Sequence, residues 1–137
     1  MKNQIEISTT INRPVKKVWT YFTEPKHIKN WYFASSEWHA PLAENDLRVG
    51  GKFKTRMEAV DASTGFDFEG VYTIVKEYEF IEYILEDGRK VEISFKDNSD
   101  NVVIREIFDI DNVNSAEAQK GGWQAILNNF KAYVESK

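Results

Sequence analysis

SAEAQKGGWQAILNNFKAYV, residues 115–134, decides the architecture. Trp123, Ile126, Leu127, Phe130 and Val134 recur at helical spacing and form one apolar stripe. Ser115 suits an N-cap, and Glu117 lies where the helix dipole favours negative charge. From Ala116 to Val134 the helix would be roughly 28 Å long at about 1.5 Å per residue, enough to cross a whole sheet. A stripe of that length has to be buried against something.

The sequence upstream supplies the partner. Residues 102–109, 80–86 and the run Val91, Ile93, Phe95 alternate apolar and polar, the period of strands with one buried face. Asp87-Gly88 between two of them is a two-residue hairpin signal. Phe53, Thr55 and Met57 continue the pattern, followed by a hairpin loop at 61–65 and a further strand at 66–75. At the start of the chain Ile5, Ile7, Thr9 and Ile11 alternate with polar residues. Then Pro14 opens a short helix with Val15, Val18, Trp19 and Phe22 on one face. Thr23-Glu24-Pro25 breaks it, and a second short helix carries Ile28 and Trp31. Residues 32–46 read as a long connection, and a loop of that length is more often functional than idle. Hairpin joints make the sheet antiparallel. The expected fold is α+β: six antiparallel strands curled around the C-terminal helix, two short helices after the first strand, and a wedge between sheet and helix.

Composition narrows the function. The 137 residues suit one domain spanning 1–137. With no cysteine there is no disulfide framework, thiol nucleophile or thiolate zinc site. A net charge of −4 argues against nucleic acid and anionic lipid as partners. The N-terminal residues lack a signal-peptide core, and no apolar run approaches the roughly 20 residues of a membrane span. The expected location is cytoplasmic. Aromatic residues, 14% of the chain, exceed what charge and size require and raise the prospect of a ring-lined pocket.

Residue patterns carry a family resemblance along almost the whole chain. They are Pro14-Val15 with Val18-Trp19, Glu24-Pro25 through Ile28 to Trp31, Trp38-His39, the stretch 46–53 (DLRVGGKF), 66–70 (FDFEG), and Gly122-Trp123 with Leu127. In this order they resemble the START-like, helix-grip (SRPBCC) superfamily, which includes the birch-pollen-allergen fold. Within it they resemble the homologues of the activator of the heat-shock-protein-90 ATPase. The resemblance implies a cavity between sheet and C-terminal helix. Members resemble lipid and polyketide carriers, cyclases, or chaperone activators; the eukaryotic activators carry an extra N-terminal domain, whereas this sequence starts directly on its first strand. A fold shared so widely does not choose among these roles.

The residues themselves offer few chemical groups. His27 lies in a solvated helical turn, and His39 follows Trp38 in the long connection. Two histidines twelve apart do not make a metal motif, and no metal or cofactor is expected. Gly50-Gly51 precedes a strand and reads as a tight turn, not a phosphate loop. Gly121-Gly122 sit inside the terminal helix at a cost of about 1 kcal/mol each, for close packing or for a thin spot beside a cavity. Glu106 shares a face with Ile104 and Phe108, so it points into the wedge if they do. Arg56 and Glu58 share a face, as do Asp67 and Glu69, but these strands carry apolar residues on both sides. Such charges stand either on a solvated outer face or as a polar spot in an aromatic pocket. Nucleophilic triads and elbows are absent. Acid–base work by Glu106, Glu58 or Asp67 has only burial to recommend it.

The expected function is therefore binding of a small apolar or aromatic molecule. Trp123, Ile126 and Phe130 form the helical wall, and Phe66, Phe68 and Tyr83 line the sheet side. Glu106, Arg56 and Glu58 orient a polar head group, and Trp38 and His39 sit at the mouth. The alternatives are a chaperone-activating interaction module and a cyclase or hydrolase using the pocket carboxylates.

Overall fold

The computed structural model describes residues 3–137. Its elements are β1 (Gln4–Ile11), α1 (Val15–Thr23), α2 (Pro25–Ile28), β2 (Trp38–Asn45), β3 (Lys52–Ala59), β4 (Gly65–Lys76), β5 (Phe80–Leu85), β6 (Lys90–Asp97), β7 (Val102–Asp109) and α3 (Ala116–Glu135). The seven strands form one antiparallel sheet in the order β1-β7-β6-β5-β4-β3-β2. The expected helix-grip fold is present, with one strand more than the six read from the sequence. The addition is β2, taken from the segment read as a connection. Pro41 lies at a register shift between His39 and Leu42. Proline cannot donate to a ladder, so an edge strand interrupted by a bulge is where it is tolerated. β2 is such an edge.

The inner face of the sheet and α3 enclose the core. Ile11, Ile104, Phe108, Leu127, Phe130 and Val134 are buried almost completely. Phe130 packs edge-on against Trp31 and Phe22, at ring-centroid distances of 4.7 and 5.1 Å. Ser115 caps α3, its hydroxyl accepting from the Ala118 N–H at 3.1 Å. Along the β1 edge, Gln124 donates to the Ser8 carbonyl at 3.2 Å and Lys131 to the Thr10 carbonyl at 2.6 Å. His27 is half-buried rather than solvated. It stacks on Tyr21 at 3.9 Å and bonds the Tyr133 hydroxyl at 2.9 Å, joining α2 to α3.

Two glycine readings separate. A Cβ on Gly51 would collide with the Asp46 carbonyl oxygen, so the turn before β3 does need a bare backbone. Gly121 and Gly122 have no neighbour within 4 Å of where a Cβ would stand. Close packing therefore does not explain them, and the thin-spot alternative survives. Gly121→Ala is expected to stabilise the protein by about 1 kcal/mol, because it raises helix propensity and meets nothing. A chemical denaturation midpoint unchanged or lowered by this substitution would show that α3 is constrained there in a way the packing does not reveal.

Candidate functional site

Residues of six strands, β2 to β7, of the three helices and of the segment after α2 surround an inner cleft. Ladder register fixes which side chains reach it, since directly paired residues share a face. Glu106 pairs with Ile7 on one side and Ile93 on the other, both buried. Tyr83 pairs with Tyr72, and Thr55 with Phe68. Glu106, Ile93, Tyr83, Tyr72 and Thr55 border the cleft together with Tyr32, Asn45, Trp123 and Ile126. The space open to the centre of a water molecule is about 50 Å³, room for a few waters or a small polar head group but not a ring.

Glu106 is the chemical centre of the cleft. It is only 7% exposed, and no described residue gives it a hydrogen bond or an ion-pair partner. No sealed side-chain nitrogen or oxygen in the described residues lacks a partner, so this carboxyl must touch the open space. Burial disfavours its charged form and raises its pKa to about 8. Tyr32 and Tyr83 lie beside it. Burial pushes both phenols well above their ordinary range, and the Glu106 charge adds to the effect. Opposite, the Tyr72 hydroxyl donates to Asn45 Oδ1 at 2.5 Å, and Asn45 Nδ2 donates to the Thr23 carbonyl at 2.6 Å.

A wider vestibule of about 360 Å³ lies outside this cleft and shares Tyr32, Trp123 and Ile126 with it as common wall. Phe33, Trp38, Met57, Phe66, Phe68 and Gly122 are among its other apolar lining residues, with Arg89 and Asp111 at its border. Trp38 meets Phe66 edge-on at 5.9 Å, and Phe68 meets both Tyr32 and Trp123, at 5.6 and 5.8 Å. Trp123 itself stacks on Phe108 at 3.9 Å, which fixes its indole between the two spaces. Gly122 borders the vestibule, where its bare backbone leaves room.

The structure thus brings together seven of the residues read from the sequence: Trp38, Phe66 and Phe68 at the vestibule, Tyr83 and Glu106 in the cleft, Trp123 and Ile126 between them. Four lie elsewhere. Arg56 and Glu58 point away from the cleft, because the alternating burial of β3 turns Phe53, Thr55 and Met57 inward. On the outer face Arg56 bonds Glu58 at 2.9 Å and approaches Asp67 at 3.4 Å. His39 stands on the same outer face, 3.9 Å from Glu58. Half-exposed pairs of this kind contribute about 0–1 kcal/mol each. Phe130 is core, sealed behind Trp31 and Phe22, rather than cavity wall. Sequence reasoning missed Tyr32, Asn45, Met57 and Tyr72. For Tyr32 a signal existed, since it opens the segment singled out as functional by its length.

Comparison with known proteins settles the family. The family described as "Activator of Hsp90 ATPase homolog 1-like protein" matches residues 12–135. The chain belongs to this family. The solution structure of an AHSA1-like protein from Aeromonas hydrophila is 37% identical, superposes with a TM-score of 0.92, and matches 98% of this chain and 93% of that one. A solution structure from Cytophaga hutchinsonii is 50% identical, with a TM-score of 0.84, 97% of this chain and 92% of that one. A protein of Chromobacterium violaceum, 24% identical with a TM-score of 0.86 over 97% of this chain and 98% of that one, shares the fold. No functionally curated protein matches the sequence significantly. As a member of the Hsp90-ATPase-activator-homolog family the chain has a START-like fold, which is consistent with a ligand-binding domain. None of its described helices is long and apolar enough to cross a membrane.

Proposed function

We propose that this protein binds a small, mainly apolar or aromatic molecule, whose body rests in the vestibule and whose polar end reaches the inner cleft. The supporting observation is Glu106, a desolvated carboxyl with no described partner, set at the end of a ring-lined path. Leaving such a group unmatched costs free energy, so a fold that keeps it there gains from a ligand that supplies the match. Apolar walls with a few convergent polar groups are the usual make-up of small-molecule sites. Partnership with a chaperone ATPase rests on the family's description alone, whereas the ligand reading rests on the cavity.

Nile red, an uncharged hydrophobic fluorophore, tests this reading. We expect micromolar binding, with Trp123 emission quenched by transfer to the dye and the quenching reduced in Trp123→Phe. Gly122 borders the vestibule and an added Cβ meets nothing there, so Gly122→Leu fills part of that space and should weaken binding by about tenfold or more. Dye that fails to bind, or that binds Gly122→Leu and the unaltered protein alike, removes the cavity from consideration.

A further inference from the structure

We infer that the inner cleft selects the protonated amine of an aromatic or arylalkyl amine, with the Glu106 carboxylate as its counter-ion. The inference deepens the ligand reading above and depends on it. Three observations carry it. Glu106 is buried and unpartnered, and no lysine, arginine or histidine lines the cleft to serve as its cation. A molecule that brings a cation supplies what the fold omits. Tyr32, Phe53, Tyr83 and Trp123 line the same cleft as the carboxyl, and electron-rich rings around a desolvated cation add cation–π attraction. The inner space takes a group the size of a few waters, as an ammonium is, while the vestibule beyond it takes a ring.

Carbonyls, hydroxyls and carboxylates fit less well. A carboxylate finds no counter-ion in the cleft and is repelled by Glu106 wherever that group is ionised. A hydroxyl or carbonyl would leave the rings and the acid without a cation. The titratable groups facing Glu106 are the phenols of Tyr32, Tyr72 and Tyr83. The flanking strands present Ile7 and Ile93, α3 presents Trp123 and Ile126, and β2 adds Asn45 and the rim residue Glu44. None of them carries a positive charge.

Proton balance gives the inference a signature. In the free protein near neutral pH the Glu106 carboxyl is mostly protonated. An ammonium entering the cleft drives off that proton to solvent, and the resulting carboxylate pairs with the ligand. The amine keeps its own proton, and no bond to carbon forms or breaks. Binding therefore releases up to one proton, and affinity rises with pH until Glu106 is ionised in the free protein as well, above a pH of about 8.

The experiment is calorimetric titration with phenethylamine, phenethyl alcohol, benzylacetone and hydrocinnamate, in buffers of different ionisation enthalpy. We expect the amine to bind at least about tenfold more tightly than the alcohol or the ketone, as buried charge pairs do relative to neutral contacts. Hydrocinnamate should bind least. Proton release should accompany the amine alone. In Glu106→Gln the amine preference and the proton release should vanish while alcohol affinity persists, which shows that the site still folds. Glu106→Asp should recover part of the preference. Equal binding of amine and alcohol, a tighter ketone, or an amine preference retained in Glu106→Gln overturns the inference but leaves the ligand reading standing. Failure of all four probes, together with failure of Nile red, overturns the ligand reading itself.

Discussion

Phe130→Ala is expected to lower the unfolding free energy by about 3–5 kcal/mol. The ring is fully buried and meets Trp31 and Phe22 edge-on, so its loss removes both transfer free energy and aromatic contacts and leaves a hole the rigid sheet cannot close. The same ring joins α3 to the segment around the two short helices, where Asn129 also donates to the carbonyls of Trp31 and Phe33 at 3.3 and 3.1 Å. Urea unfolding at unchanged m-value measures the effect. Phe130→Leu, which keeps most of the volume, should cost about 1.5 kcal/mol or less. A loss below about 1 kcal/mol in the alanine variant would mean that the helix is not gripped where the packing places it.

The second large effect belongs to Glu106. Its folded pKa is raised from 4.5 to about 8 by burial. Between those values the folded protein holds a proton that the unfolded chain has given up. Stability is therefore greatest below a pH of about 4.5, falls as the pH rises through that window, and levels off above about 8. The size of the shift corresponds to a loss on the order of 5 kcal/mol across the window. Other carboxylates titrate in the opposite sense, Asp111 among them, held low chiefly by the Asn114 backbone N–H. The comparison with Glu106→Gln isolates the one group. At acid pH the two proteins should unfold at similar denaturant concentrations. At a pH of about 9 the glutamine variant should be the more stable by several kcal/mol. Parallel stability curves across the range would show that the carboxyl ionises in the folded state without penalty.

Both predictions concern residues visible in the sequence, yet the sequence located them unequally. The helix at 115–134, the hairpin at Asp87-Gly88 and the alternating strands on either side of it were legible because one buried face imposes one period. Glu106 was legible in part for the same reason: it shares a face with Ile104 and Phe108, and points inward if they face the helix, as their burial shows they do. Arg56 and Glu58 were not, because β3 has Phe53 and Met57 on one side and apolar neighbours in β4 on both. Only the pairing of Arg56 with Asp67 and of Thr55 with Phe68 assigns the faces. β2 escaped because an edge strand need satisfy only one neighbour, and Pro41 with a register shift destroys its period. Phe130 was assigned to the cavity because helical spacing tells which residues share a stripe, not how far along that stripe the open space extends. Gln119 was missed altogether. Its amide accepts from the Asp111 N–H and donates to the Asn114 carbonyl, both at 2.8 Å, and so fixes the turn from β7 into α3. A glutamine on a helix gives no such hint in isolation.

The two borders of the sheet have a bearing on self-association. Along β1 the outward carbonyls of Ser8 and Thr10 are already occupied by Gln124 and Lys131 of α3. Along β2 a proline and a shifted register interrupt the row of groups that an incoming chain would need. An invading strand from another molecule thus meets a guarded rim on both sides, the arrangement by which sheet proteins escape fibrillar stacking and domain exchange.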